Sequence, residues 1–228
     1  MRKWAIWNIV GFVLCVIGAV LLGKTFAETG FHPEAFDTRE YVTSTLDVEE
    51  DFSNVSVSGN LEDVNVIPSE DGKCHVTVLT EKGVSCICKV EGETLVIRTE
   101  DDREWYKSIG FSDKSPAITV ALPGDACQDL TIDTNVGDVL ISGLIFRTLK
   151  VNVTTGDVTL DACDAQEAYL STVTGDVRGS FLTDKRFFVN TNTGDVDVPD
   201  AASGGKCEIT TNTGDVSVKI SKERGGAE

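Results

Sequence analysis

The 228-residue sequence has few of the side chains that enzymes use for acid–base and metal chemistry. It contains 2 histidines, 1 methionine and 5 prolines, and aromatic residues make up 7% of the chain. His32 lies outside the repeated part of the sequence. Cys74 and His75 are adjacent on a predicted strand, so they face opposite sides and cannot form a nucleophile–base pair. We therefore predict no catalytic residue, no cofactor and no metal site, and we expect the protein not to be an enzyme.

Basic residues are also scarce. The chain has 20 Lys and Arg against 37 Asp and Glu, a formal net charge of −17. Such a surface repels phosphate backbones, which excludes nucleic acid as a partner.

The cysteines follow no recognisable site pattern. Cys86-Ile-Cys88 is not a Cys-x-x-Cys redox pair, and the other spacings match no zinc site. Cys163 and Cys207 fall at inward positions of the repeats described below, where a free thiol acts as a small apolar group. Disulfide bonds in an exported domain are the alternative.

What the sequence does contain is a repeated Gly-Asp-Val. It occurs at spacings of 19, 19, 19 and 20 residues. The copies begin at Gly137-Asp138, Gly156-Asp157, Gly175-Asp176, Gly194-Asp195 and Gly214-Asp215. On both sides of each copy, apolar and polar residues alternate with the period of a β-strand. Repeats of this period indicate a stacked architecture in which each unit is a strand, a turn and a strand.

A unit of about 20 residues cannot bury its own apolar face, so neighbouring units must stack about 4.8 Å apart. We therefore predict an all-β protein, a single-chain right-handed parallel β-helix (β-solenoid) with about 19–20 residues per rung. The glycines supply positive φ at the turn, and the aspartates bond turn amides. A column of aspartates could instead bind calcium, as in Gly-rich nonapeptide repeats.

The N-terminus carries an apolar run from Trp4 to Leu22, broken only by Asn8. Its length nearly spans a bilayer, and Arg2 and Lys3 precede it, so residues 1–3 are predicted to be cytoplasmic and residues 4–23 to form one transmembrane helix. The β domain would then be extracellular and the protein a single-pass protein of the cell membrane. A cleaved signal peptide is the alternative.

One face of that helix carries small and polar residues, as close helix–helix contacts in membranes do. The face consists of Asn8, Gly11, Cys15, Gly18 and Leu22. We expect it to be the contact if the helix self-associates.

The rest of the chain divides by pattern. Residues 24–40 have no periodicity and form a predicted juxtamembrane spacer. Residues 41–128 read as irregular β rungs with a loop at 99–117, residues 129–220 as the regular repeats, and residues 221–228 as a tail. The loop contains Trp105, Tyr106 and Phe111, which we predict to contact a partner, although a long aromatic segment can also cap the open end of a core.

Several short runs resemble the DUF4097 family. They are Asn54–Val57, Asp63–Ser69, Leu95–Ile97 and Val120–Pro123, followed by the Gly-Asp-Val copies. The resemblance implies a β-helix-like domain, often held to the membrane by one N-terminal helix. Relatives are labelled adhesins by fold analogy, and some are encoded beside envelope-stress or PadR-type regulatory genes in Gram-positive bacteria. The family supplies no catalytic residues.

Two functions follow as hypotheses. The first is a non-enzymatic, membrane-anchored scaffold of the cell envelope, adhesin-like, that binds an envelope polymer or protein and is linked to an envelope stress response. The second is a polysaccharide-active parallel β-helix enzyme, which would need clustered carboxylates along a groove of long loops. The tight repeats and their outward Thr, Asn and Ser residues favour the scaffold.

Overall fold

The computed structural model describes residues 2–29, 39–101, 103, 114–124 and 127–221. The chain forms two compact units, of which one contains the helix and the other contains the strands. The aromatic residues Trp105, Tyr106 and Phe111 lie outside the described residues, as do most of the predicted loop and most of the predicted tail.

The helix, α1, runs from Arg2 to Thr29 and so includes the predicted span. Its described side chains, which begin at residue 11, are largely exposed, as at Phe12 and Leu14. Within the described part of the chain, no helix combines the length and the apolar character needed to cross a membrane. The membrane span predicted for residues 4–23 stays a prediction.

The strands, numbered in chain order, form two sheets that share one apolar core. In spatial order the first sheet contains β5 (Ser85–Glu91), β6 (Thr94–Glu100), β2 (Asn54–Gly59), β8 (Asp129–Val136), β10 (Ile145–Thr155), the second half of β11 (Val158–Thr174), β15 (Gly205–Thr213) and β13 (Lys185–Thr193). The second contains β1 (Tyr41–Val48), β4 (Cys74–Glu81), β7 (Ala117–Leu122), β3 (Asp63–Pro68), β9 (Val139–Ser142), the first half of β11, β12 (Val177–Phe181), β16 (Val216–Ile220) and β14 (Val196–Asp197).

A rung is one strand of the first sheet, a tight turn and one strand of the second. Successive rungs pair in parallel and in register, so that Leu149 lies between Leu130 and Ala168. These inward side chains are fully buried, because the alternation of each strand turns every second residue into the core. The prediction of an all-β, solenoid-like fold is thus confirmed, whereas the handedness stays a prediction.

The last two rungs do not stack in the order of the sequence. β15 lies between β11 and β13, and β16 lies between β12 and β14. Two glycines allow this insertion. A Cβ on Gly205 would lie 2.5 Å from the carbonyl oxygen of Gln166, and one on Gly204 would lie 1.9 Å from that of Asp184. Because the repeats are alike, their pattern alone could not show which rung is terminal.

The other end of the stack is not a parallel solenoid. β4 pairs antiparallel with β7, β1 pairs antiparallel with β4, and β5 pairs antiparallel with β6. β4 and β5 follow each other through a turn at Gly83, where φ is 95°. The strands predicted as irregular rungs therefore include antiparallel strands, and β1 and β5 are the edge strands at this end of the stack.

The strand β11 passes from the second sheet to the first at a corner near Ala162. Ala162 has φ of 48°, and its N–H is donated to Ser180 Oγ at 3.1 Å. Gly143, one repeat earlier, occupies the same position with φ of 63°. The corner thus requires a left-handed residue, and β11 fills it with alanine.

All seven cysteines are free. The alternative of disulfide bonds is thus not found in the structure. Burial raises the pKa of the thiols of Cys74, Cys127 and Cys207 to about 12. These thiols are neutral packing groups at physiological pH.

Candidate functional site

The turns between the sheets carry a continuous row of aspartates, here called the aspartate ridge. In spatial order it consists of Asp63, Asp138, Asp157, Asp176, Asp215 and Asp195. Each aspartate after Asp63 donates its backbone N–H to Oδ1 of the one before it, at distances of 2.9, 2.8, 2.8, 2.6 and 2.8 Å. The predicted bonds to turn amides thus run between rungs rather than within one turn.

The glycines before these aspartates have φ between 140° and 153°. They also lie directly against the rung below. A Cβ on Gly175 would be 2.0 Å from the carbonyl oxygen of Gly156. Glycine is therefore needed both for the backbone conformation and for the distance between rungs.

Asp63 is a member of the ridge that the repeat spacing did not predict. Glu62 precedes it in place of glycine, and an insertion separates it by 75 residues from Asp138. Oε2 of the buried Glu62 accepts the N–H groups of Asn60 and Leu61 at 2.7 and 2.9 Å, which forms the turn by other means. In the sequence, Asp63 shares with the other aspartates of the ridge a following valine, and this Asp-Val pair stands at the start of an alternating strand.

The ridge is a row of like charges whose members are half-buried or exposed. Neighbouring carboxylates one rung apart repel by roughly 1 kcal/mol at high dielectric. The amide donated to each Oδ1 offsets part of this repulsion, and Arg178 contacts both Asp157 and Asp176. Among the described residues, no group of three or more His, Cys, Asp or Glu side chains is arranged to hold a metal ion.

The outer face of the first sheet is a second repeated surface, here called the polar wall. One row of it crosses six strands in register and contains Ser58, Asp133, Asn152, Ser171, Thr210 and Asn190. Asn152 Nδ2 donates to Asp133 Oδ1 at 2.6 Å, and in the next row Asn135 Nδ2 donates to Asn60 Oδ1 at 2.8 Å. The wall thus presents amide, hydroxyl and carboxylate groups at the spacing of the strands.

Near its β13 end the polar wall also carries two aromatic residues, Tyr169 and Phe188. Lys206 Nζ lies 4.8 Å from the ring centroid of Tyr169 and 6.0 Å from that of Phe188, and it pairs with Glu208 at 2.7 Å. Phe188 is 52% exposed. The adjacent Phe187 and Phe188 are the sequence signal, because strand alternation must turn one of two neighbouring aromatic residues outward.

The described residues before the predicted aromatic contact are held by a partly buried group of three charged side chains. Arg103 contacts Asp101 and Glu81, each at 2.7 Å. The Arg103 guanidinium holds the pKa of Asp101 below its usual range. Because Trp105, Tyr106 and Phe111 lie outside the described residues, their role as a contact stays a prediction.

The imidazole of His75 on β4 is held between two carboxylates. Its Nδ1 lies 2.7 Å from Asp47 Oδ1, and its Nε2 lies 3.0 Å from both carboxylate oxygens of Asp71. Hydrogen bonds to Asp47 and then Asp71 raise the pKa of His75, which favours the imidazolium form. With both ring nitrogens bonded to carboxylates, the ring joins β1, β4 and the turn before β4.

The family follows from comparison with known proteins. The model of the family Toastrack DUF4097 matches residues 52–228. The chain belongs to the Toastrack DUF4097 family. The match spans nearly all the described strands and confirms the resemblance seen in the sequence.

Two solved structures illustrate what the chain is similar to. A protein of Clostridium sporogenes named a putative cell adhesion protein is 11% identical, with a TM-score of 0.61 over 80% of this chain and 100% of that one. A putative adhesin of Bacteroides fragilis is 15% identical, with a TM-score of 0.47 over 79% of this chain and 97% of that one. The first of these likenesses supports the fold alone. No curated protein matches the chain.

Proposed function

We propose that this Toastrack protein is a non-enzymatic, membrane-anchored scaffold that binds a polymer or protein of the cell envelope. The polar wall carries the proposal. Its rows of hydroxyl, amide and carboxylate groups repeat at strand spacing, which suits many weak contacts to an extended partner. The name of the Clostridium sporogenes neighbour is consistent with an adhesive role.

The anchor is the second part of the proposal and rests on the sequence. The apolar run from Trp4 to Leu22 and the basic pair Arg2-Lys3 favour a cytoplasmic N-terminus and an extracellular β domain. The surface of the β domain is acidic, so attraction to anionic lipid does not account for membrane binding. Self-association through Asn8, Gly11, Cys15 and Gly18 stays a prediction.

The anchor is tested by labelling intact cells. A maleimide that cannot cross membranes should modify a Thr29→Cys variant without lysis, in a background whose Cys15, Cys86 and Cys88 are replaced by serine. Modification of Thr29→Cys only after lysis would reverse the proposed orientation, and release of the chain from membranes by salt would contradict the anchor.

The scaffold role is tested by measuring binding and turnover together. The full chain in detergent is incubated with polygalacturonate, with neutral xylan and with detergent-extracted cell envelopes, and both retention of the chain and new reducing ends are measured. We expect the chain to be retained on the envelopes, and we expect no new reducing ends from either glycan. Catalytic release of oligosaccharides would favour the polysaccharide-active enzyme instead.

A further inference from the structure

The rung formed by β13 and β14 ends the stack, but it has the sequence of an internal rung. It carries the same Gly194-Asp195-Val196 as its neighbours, and it is terminal because β15 and β16 insert before it. The valine of this motif shows the difference. Val177 and Val216 are 0% and 1% exposed, whereas Val196 is 47% exposed. The apolar core is therefore open at this end.

The backbone of the terminal rung is open as well. In the rung before it, the N–H groups of Gly214 and Val216 are donated to the carbonyl oxygens of Thr193 and Asp195, at 2.9 and 2.8 Å. The corresponding N–H groups of Gly194 and Val196 have no acceptor among the described residues. A regular strand edge with unpaired donors and acceptors is a template for another strand.

We propose that a second copy of this chain covers this end, with β13 of one copy antiparallel to β13 of the other. An antiparallel strand edge can pair with itself about a two-fold axis. This contact does not lead to growth beyond two copies, because a two-fold pairing uses the β13 edge of both copies. The expected assembly is a closed dimer.

The charges of the terminal rung favour the antiparallel arrangement over a parallel one. The exposed Arg186 lies at the start of β13, and the exposed Asp195 and Asp197 lie beyond its end. Antiparallel pairing brings Arg186 of each copy toward the acidic turn of the other, whereas parallel pairing would place like charges together. The partner that fits this edge best is thus the same edge.

The proposal is tested by the molar mass of the full chain in detergent, measured by light scattering after gel filtration. The protein contribution should be twice the chain mass of 24.5 kDa. A Val196→Asp variant should give the mass of one chain. The matched control is Val173→Asp, since Val173 is 48% exposed on the wall of an internal rung. This control should remain dimeric.

Amide hydrogen exchange of the unmodified protein provides a second measurement that needs no variant. Residues 185–197 should exchange more slowly at high protein concentration than at low concentration, while β1 and β5 exchange at the same rate at both. A parent chain of single mass would overturn the proposal. So would a Val196→Asp dimer, or exchange of residues 185–197 that does not depend on concentration.

Discussion

Gly175 shows how strictly single residues of the turns are constrained. We expect Gly175→Val to lower the free energy of unfolding by about 3 kcal/mol or more, because φ of 146° strains any side chain and the new Cβ would overlap the carbonyl oxygen of Gly156. Thr159→Val, at an outward position of β11, should change it by less than about 1 kcal/mol. Urea unfolding measures both, and equal midpoints would contradict the turn geometry.

At the corner of β11 the native residue is alanine, and here we expect a change to glycine to stabilise the protein. Ala162→Gly should raise the free energy of unfolding by roughly 1 kcal/mol, because alanine at φ of 48° carries a strain that glycine lacks. Gly143→Ala at the equivalent corner should lower the free energy of unfolding by a similar amount, because alanine is strained at φ of 63°. The new Cβ would lie 3.4 Å from Pro68 Cγ, close to ordinary contact, so it adds little further cost. Thermal unfolding of the two variants should shift in opposite directions; a shift in the same direction would be inconsistent with a shared corner.

The buried cysteines predict a loss of stability at alkaline pH. Thiols of the unfolded chain ionise near pH 9.0, whereas burial raises the pKa of Cys74, Cys127 and Cys207 to about 12. The folded-state pKa is thus the higher one, so their contribution is fully present below pH 9 and is lost as pH rises toward 12. Each thiol should then remove up to about 1.4 kcal/mol per pH unit.

Guanidinium unfolding at pH 8 and pH 10.5 measures this loss. For each protein, the free energy of unfolding at pH 8 is the reference, and the loss on going to pH 10.5 is measured. This loss should be smaller in a Cys207→Ala variant than in the parent. An unchanged difference would show that Cys207 does not ionise on unfolding in this range.

At the scale of elements, the aspartate ridge joins the rungs through hydrogen bonds that asparagine can also accept. Asp157→Ala leaves the N–H of Asp176 without its acceptor and should lower the free energy of unfolding by about 1 kcal/mol. Asp157→Asn keeps an Oδ1 and removes a repelled charge, so it should be neutral or stabilising. An asparagine variant as unstable as the alanine variant would show that the negative charge itself is required.

The hydrogen-bond interpretation of the aspartate ridge and the alternative of calcium binding predict different effects of added calcium. Oδ1 of each aspartate before Asp195 already accepts an amide. Millimolar calcium should therefore leave the melting temperature of the parent unchanged. A rise that EDTA reverses would indicate bound calcium.

The sequence predicts individual elements better than their arrangement, for physical reasons. Alternation about each Gly-Asp-Val identifies the strands and inward residues such as Leu149 and Val151, because burial acts on every second residue. It does not identify the terminal rung, since equivalent repeats can dock on β11 equally well by pattern. Asp63 was missed because Glu62 forms the turn without glycine, and the reversal of β4 leaves no trace in alternation, which is the same in either strand direction.

At the scale of the whole molecule, the fold places its apolar residues between two sheets and leaves a regular polar face outside. Each rung adds one more row of hydroxyl, amide and carboxylate groups at the same spacing. The surface available to a partner therefore grows with the number of rungs, and a dimer through β13 would extend the wall across both copies. Binding is expected to depend on many rows together rather than on one pocket.

The most direct test is co-sedimentation of the full chain, kept in detergent, with detergent-extracted cell envelopes, so that the helix has no bilayer to enter. The parent should sediment with the envelope, and Ser171→Arg with Thr210→Arg, in the middle of the polar wall, should bind far less. The matched control, Thr43→Arg with Thr45→Arg on the exposed β1, should bind like the parent. A variant with alanine at Trp105, Tyr106 and Phe111 measures how much of the envelope binding depends on the predicted aromatic contact. Full binding by the wall variant would contradict the account.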